Sequence, residues 1–118
     1  MWISAGATFR LGIGVREAER IYLPFVSLAE LRAGFLCGTQ ARHNERVLTR
    51  FLNSPRVRAL YADEQTTHHY ARLFQQLREQ ATPIPTNDIW IAALVLQHHL
   101  TLYTRDHHFE HVAQLVRI

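Results

Sequence analysis

Three acidic residues sit where separate elements of the chain can deliver them to one place. Asp88 opens an apolar stretch in Pro85-Thr86-Asn87-Asp88-Ile89-Trp90-Ile91-Ala92-Ala93. Asp106 follows eighteen residues later, just past the apolar run in Leu102-Tyr103-Thr104-Arg105-Asp106. Glu30 lies upstream in Ser27-Leu28-Ala29-Glu30-Leu31-Arg32-Ala33-Gly34. Carboxylates brought in by the ends of different elements form oxygen sites for hard divalent cations such as Mg²⁺ or Mn²⁺. Each acid also has a local explanation. Ser27-x-x-Glu30 matches a capping box, in which the glutamate bonds back to the N-cap amide. Asp88 at a helix start is favoured by the macrodipole, and Asp106 fits an ordinary turn.

The other reactive side chains are less suggestive. Eight histidines include His107 and His111, four apart, and the pairs His68-His69 and His98-His99. His107 and His111 would share a helical face as zinc ligands, but no second half with zinc spacing accompanies them. His107 or His108 could touch a phosphate beside Asp106. The single cysteine, Cys37, lies in an apolar setting with no neighbouring base, which argues against a nucleophile. Arg42, Arg46 and Arg50 recur at helical spacing, a row that either faces solvent or meets an anionic partner.

The elements that must position these residues follow from the punctuation. Residues 21–26 are a short run of strand formers weakened by Pro24. Ser27 reads as the N-cap of a helix that buries Leu28, Leu31 and Phe35, with Gly34 and Gly38 marking its weakening and end. Arg42 to Asn53 forms a second helix, stopped by Pro55, and a strand is expected around Val57, Leu60 and Tyr61. Asp63 then caps an amphipathic helix carrying Tyr70, Leu73, Phe74 and Leu77 toward the core. Asp88 to His98 is apolar almost all round and is expected as a buried helix with Trp90 in the core. Residues 100–104 read as a buried strand, and Leu115 to Ile118 as a final one. Short strands separated by helices imply an α/β domain with a mostly parallel sheet flanked by helices. Ligands of such sheets bind beyond the carboxyl ends of the strands, where Asp106 falls.

These three segments, the last extending through Asp106-His107-His108-Phe109, together resemble the PIN-domain ribonucleases, and within them the VapC-type toxins of bacterial toxin–antitoxin pairs. The likeness runs from about Ala18 to the C-terminus, so one domain, 1–118, is expected, with residues 1–17 atypical. The resemblance implies a PIN-like fold and a cluster of four acids that binds Mg²⁺ or Mn²⁺ for hydrolysis of an RNA phosphodiester. It maps three of the acids onto Glu30, Asp88 and Asp106. It implies Thr104 as polar support at the pocket, with Asn87 as a further candidate. It further implies tRNA or another structured RNA as substrate, homodimerisation, and a cognate antitoxin that wraps the helices of residues 28–52.

The opening of the chain departs from that pattern. The family's first acid sits in an apolar opening strand ending Asp-Thr-Asn or Asp-Thr-Ser, whereas residues 1–16 contain neither Asp nor Glu. Glu17 and Glu19 are poor substitutes, because their segment reads as a helix tail leading into strand 21–26. Glycines at 6, 12 and 14 make residues 1–14 a weak replacement. Loss of the opening strand, central in the family's sheet, would separate the remaining strand pairs. A displaced start and a degenerate copy explain this equally. The corresponding functions are a weak or inactive nuclease and, as an alternative, a catalytically dead antitoxin-binding module.

Bulk composition sets the outer limits. The 118 residues are 47% hydrophobic and 19% charged, as in a globular domain with one core. No apolar run is long enough to span a membrane and no signal peptide is evident at Met1-Trp2-Ile3, so a cytoplasmic location is expected. All 13 basic residues are arginine and the net charge is +3, divided as +5 over residues 1–60 and −2 over residues 61–118. That excess permits nucleic-acid contact without requiring it.

Overall fold

The structure is a computed structural model that describes residues 20–118. The expectations placed on residues 1–17, including the weak opening segment and Glu17, lie outside the described residues, as does Glu19. In chain order the elements are strand β1 (Ile21–Pro24), helices α1 (Phe25–Cys37) and α2 (Ala41–Leu52), strand β2 (Val57–Leu60), helices α3 (Glu64–Glu79) and α4 (Thr86–Gln97), strand β3 (Thr101–Leu102), a 3₁₀ helix (His107–His111) and strand β4 (Val116–Arg117).

The described strands form two separate parallel pairs. β1 runs beside β2 with Ile21 opposite Val57 and Pro24 opposite Leu60. β3 runs beside β4 with Thr101 opposite Val116. Among the described residues no strand bridges the two ladders. The opening segment, whose loss was expected to separate the strand pairs, lies outside the described residues. Pro24, which has no N–H for a ladder, falls at the end of β1 and doubles as the N-cap position of α1.

α4 is the element around which the rest packs. Its sequence Ile89-Trp90-Ile91-Ala92-Ala93-Leu94-Val95 has no polar face, and Ile91, Ala92, Ala93 and Leu94 are wholly shielded from solvent. Leu73 and Leu77 of α3, Val26 of α1, Leu102 of β3 and Phe109 of the 3₁₀ helix complete that core. Burying a side chain the size of Ile91 or Leu94 stabilises by about 1.5–3 kcal/mol. The exposed Arg32–Glu45 pair, at 3.0 Å between α1 and α2, adds little beside this. A second cluster joins Leu23, Leu28, Leu31 and Leu48. Trp90 packs at the core's edge, its ring 4.3 Å from that of Tyr70 and edge-on to Phe25.

Several local expectations are corrected. α1 begins at Phe25, two residues before the expected cap. The buried Ser27 is therefore inside the helix, the capping position falls on Pro24 without a side-chain cap, and the Ser27–Glu30 capping box does not form. Apolar residues on both sides of Pro24 draw the chain straight from strand to helix, so no polar residue is left at the boundary. Helix α1 runs unbroken through Gly34 and, as expected, ends at Gly38, whose amide donates to Phe35 O. Cys37 is exposed at the end of α1, not in an apolar setting. Phe74 is half exposed, because α3 turns only Leu73 and Leu77 fully into the core. Asp63 does cap α3 as expected: its carboxylate accepts from Thr66 N, and its amide donates to Thr66 Oγ1.

Candidate metal centre

Two of the three expected acids meet. Asp88 lies in the first turn of α4, three residues past Pro85, whose carbonyl accepts the Asp88 amide at 3.0 Å. From Asp88 onward α4 turns into the core, so although Thr86 and Asn87 are exposed the Asp88 side chain is only 7% exposed. Asp106 stands at the N-cap of the 3₁₀ helix after β3, where its Oδ1 accepts the His108 amide at 2.9 Å. The Thr104 hydroxyl accepts the Asp106 amide at 3.0 Å and so fixes the backbone that presents the carboxylate. Asn87 is exposed.

Between the two carboxylates stands His108. Its Nδ1 lies 3.0 Å from Asp88 Oδ2 and 2.9 Å from Asp106 Oδ1. The donor atoms of Asp88, Asp106 and His108 all lie within 4.8 Å of one another. The wholly buried Phe109 anchors the turn that carries Asp106 and His108. Sequence reading had given His108 only nearness to Asp106. No spacing signal marks it, because the return of its side chain toward the cap is set by the backbone angles of Asp106.

Glu30 is not in this cluster. The early start of α1 moves it into the helix's second turn, on an exposed face, and out of the three-residue donor group. Its charge still reaches the site. Burial pushes the Asp88 carboxyl above its ordinary range and the Asp106 charge adds to that. The His108 hydrogen bond and charge pull it back, and Glu30 contributes a last, small upward push. A buried carboxylate whose pKa is raised by burial and by a second acid is a group that a cation would relieve.

The donor chemistry fits a divalent ion. Two carboxylate oxygens suit Mg²⁺ or Mn²⁺, and an imidazole nitrogen beside them is compatible with Mn²⁺ and later transition ions. The zinc alternative through His107 and His111 is not brought together: both are exposed and neither belongs to the donor group found among the described residues. Arg42, Arg46 and Arg50 line an open depression on α2 with Glu45, Thr49 and Asn53, and its lining includes none of the three acids.

Comparison with known proteins places this geometry in context. A family model described as "PIN domain" matches residues 10–115. The chain is 32% identical over 88 residues to Ribonuclease VapC1 of Haemophilus influenzae (strain R2866), covering 75% of this chain and 64% of that protein. It is 32% identical over 84 residues to Ribonuclease VapC4 of Mycobacterium tuberculosis, covering 71% and 65%. The chain thus spans under two thirds of the length of these relatives. Its fold is similar to the solved structure of VapBC-1 from nontypeable Haemophilus influenzae, with a TM-score of 0.77 at 29% identity, covering 84% of this chain and 73% of that one. It is also similar to VapBC2 from Rickettsia felis, solved bound to a DNA fragment from its promoter, with a TM-score of 0.76 at 25% identity, covering 84% and 74%.

Proposed function

The chain belongs to the PIN-domain family, and from that premise we propose that it is a divalent-metal-dependent endoribonuclease, the toxin half of a type II toxin–antitoxin pair. The observation that carries the proposal is the buried Asp88 carboxylate held beside Asp106, two acids from separate elements that converge at the end of β3. The ribonuclease names of the relatives support the reaction class, and the VapBC complexes among the structural neighbours support a protein antitoxin as partner. tRNA or another structured RNA is the proposed substrate class, a homodimer the proposed assembly and the cytoplasm the proposed location. Among the described residues no helix is long and apolar enough to cross a membrane.

In this reading Asp88 and Asp106 hold Mg²⁺ or Mn²⁺. When bound, such an ion supplies an activated water and steadies the charge that develops on the scissile phosphate. The chain's own groups do the rest. Thr104 fixes the Asp106 backbone, which limits the carboxylate's swing during turnover. The packing of α4 keeps water from the inner side of Asp88. Glu30, exposed on α1 and near enough for its charge to act on Asp88, is the group we assign to accept a proton from water.

The deciding experiment is RNA cleavage by the purified chain with Mn²⁺ or Mg²⁺, against EDTA and Asp88→Asn controls. Cleavage that needs the ion and is lost in the variant supports the enzyme. A second reading, an antitoxin-binding module without activity, is favoured by one observation: residues 1–16 hold no acid to serve as the family's first ligand. A folded chain that binds antitoxin and leaves RNA intact in every metal would establish that reading in place of the first.

A further inference from the structure

We infer that His108 is itself a ligand of the metal centre, so that this chain holds its ion with two carboxylates and one imidazole. The inference rests on the nuclease reading for the presence of an ion, and adds a donor of a different chemical type. Ligands about 2.1 Å from a cation and at right angles to one another lie about 3 Å apart. His108 Nδ1 stands 3.0 Å from Asp88 Oδ2 and 2.9 Å from Asp106 Oδ1, which is the spacing of neighbouring ligands on both sides.

The backbone makes this placement stiff. Asp106 Oδ1 accepts the His108 amide, so residues 106–108 form a closed turn that presents an oxygen and a nitrogen donor together. The residue directly after it, Phe109, is wholly buried, and the His107 ring lies against that of His108 with centroids 4.7 Å apart. Rotation of the imidazole away from the carboxylates would disturb its ring contact with His107. To bind an ion the neutral ring carries its hydrogen on Nε2 and turns the Nδ1 lone pair inward. His108 is partly exposed, so hydrogen on Nε2 has solvent within reach.

An imidazole changes which ion is preferred. Nitrogen donors favour Mn²⁺ and later transition ions over Mg²⁺, which keeps to oxygen. The centre is therefore selective for Mn²⁺ over Mg²⁺ beyond what carboxylates alone confer. His108 also adds a third donor from this chain to the two carboxylates that already meet.

The test uses Mn²⁺ as probe on the full chain, read by calorimetric titration and by pulsed electron paramagnetic resonance for nitrogen coupled to the bound ion. Expected are an imidazole ¹⁴N coupling in the native protein, its replacement by ¹⁵N after histidine labelling, and its loss in His108→Asp. The Mn²⁺-over-Mg²⁺ affinity ratio should fall on the order of tenfold in that variant. Circular dichroism checks that the variant folds. If it does not, His108→Gln takes its place and the labelled native protein is read directly. Mn²⁺ that binds, is released by Asp88→Asn and shows no histidine nitrogen overturns the inference and leaves the nuclease reading intact. Mn²⁺ that does not bind at all overturns both. Nitrogen coupling without RNA cleavage leaves the inference standing and removes the nuclease reading.

Discussion

His108 and Asp88, twenty residues apart in the chain, meet at 3.0 Å across the boundary between the 3₁₀ helix and the first turn of α4. The contact joins the most deeply buried acid of the described chain to a turn that already carries Asp106. Most of the candidate centre is thereby assembled from residues 88–108, and the helices of residues 25–52 contribute at most its rim.

Asp88 should cost the metal-free fold some stability. Its folded-state carboxyl is held above the ordinary value of 3.8, first by burial and then by Asp106. For an acid shifted upward, the folded state binds the extra proton, so stability falls as pH rises from the ordinary value through the folded one. Asp88→Asn removes that penalty while keeping an oxygen for His108. In EDTA at neutral pH the variant should be more stable by about 1 kcal/mol, with the advantage vanishing below the ordinary aspartate value. Urea denaturation at several pH values measures the difference. Added Mn²⁺ should reverse the order, because only the native chain binds it.

Glu30 should separate chemistry from metal affinity. Since it lies outside the donor group, Glu30→Gln is expected to change Mn²⁺ affinity by less than about threefold while lowering RNA cleavage on the order of a hundredfold, the range for a lost proton acceptor. Titration and cleavage on one preparation give both numbers. An equal fall in the two would move Glu30 among the ligands.

Thr104→Val tests the support beneath Asp106. The substitution keeps the shape and deletes the oxygen that accepts the Asp106 amide. A loss of about 1 kcal/mol is expected from the unmet N–H. Weakened Mn²⁺ binding should accompany it, while Thr104→Ser should restore both. The Ser variant is the control that distinguishes the hydroxyl from the methyl group.

Asp63 offers a pH signature far from the pocket. Its carboxyl is held below 3.8, chiefly by the Gln97 side-chain amide and then by the Thr66 amide. The folded state favours the charged form, so the stabilisation is present above the ordinary value and disappears as pH falls through the lowered one. Asp63→Ala should therefore lower the melting temperature at pH 7 and match the native chain near pH 2. Gln97 lies at the C-terminal end of α4, so the same change should also loosen that helix end.

Much of the fold was legible because apolar periodicity and strong caps agree locally. The unbroken apolar run from Ile89 to Val95 predicts a buried helix, and Asp63 predicts a helix start, and both are found. Ser27 misled because a capping motif records what a side chain can do, whereas the start of α1 was decided by burial of Val26 and Leu28 beside β1. Asp88 and Asp106 were legible as types at element ends. The role of His108 was not, since the return of a side chain across a 3₁₀ turn depends on the φ and ψ of Asp106 rather than on spacing.

The depth of α4 also sets a size filter. Asp88 issues from a helix that cannot shift without opening the core, and Asp106 is tied at both its amide and its carboxylate. Ca²⁺ needs six to eight oxygens at about 2.3–2.6 Å and finds them where ligands can spread. These two acids have no such latitude, so a pocket tuned to smaller ions should pass over calcium even when that ion is abundant.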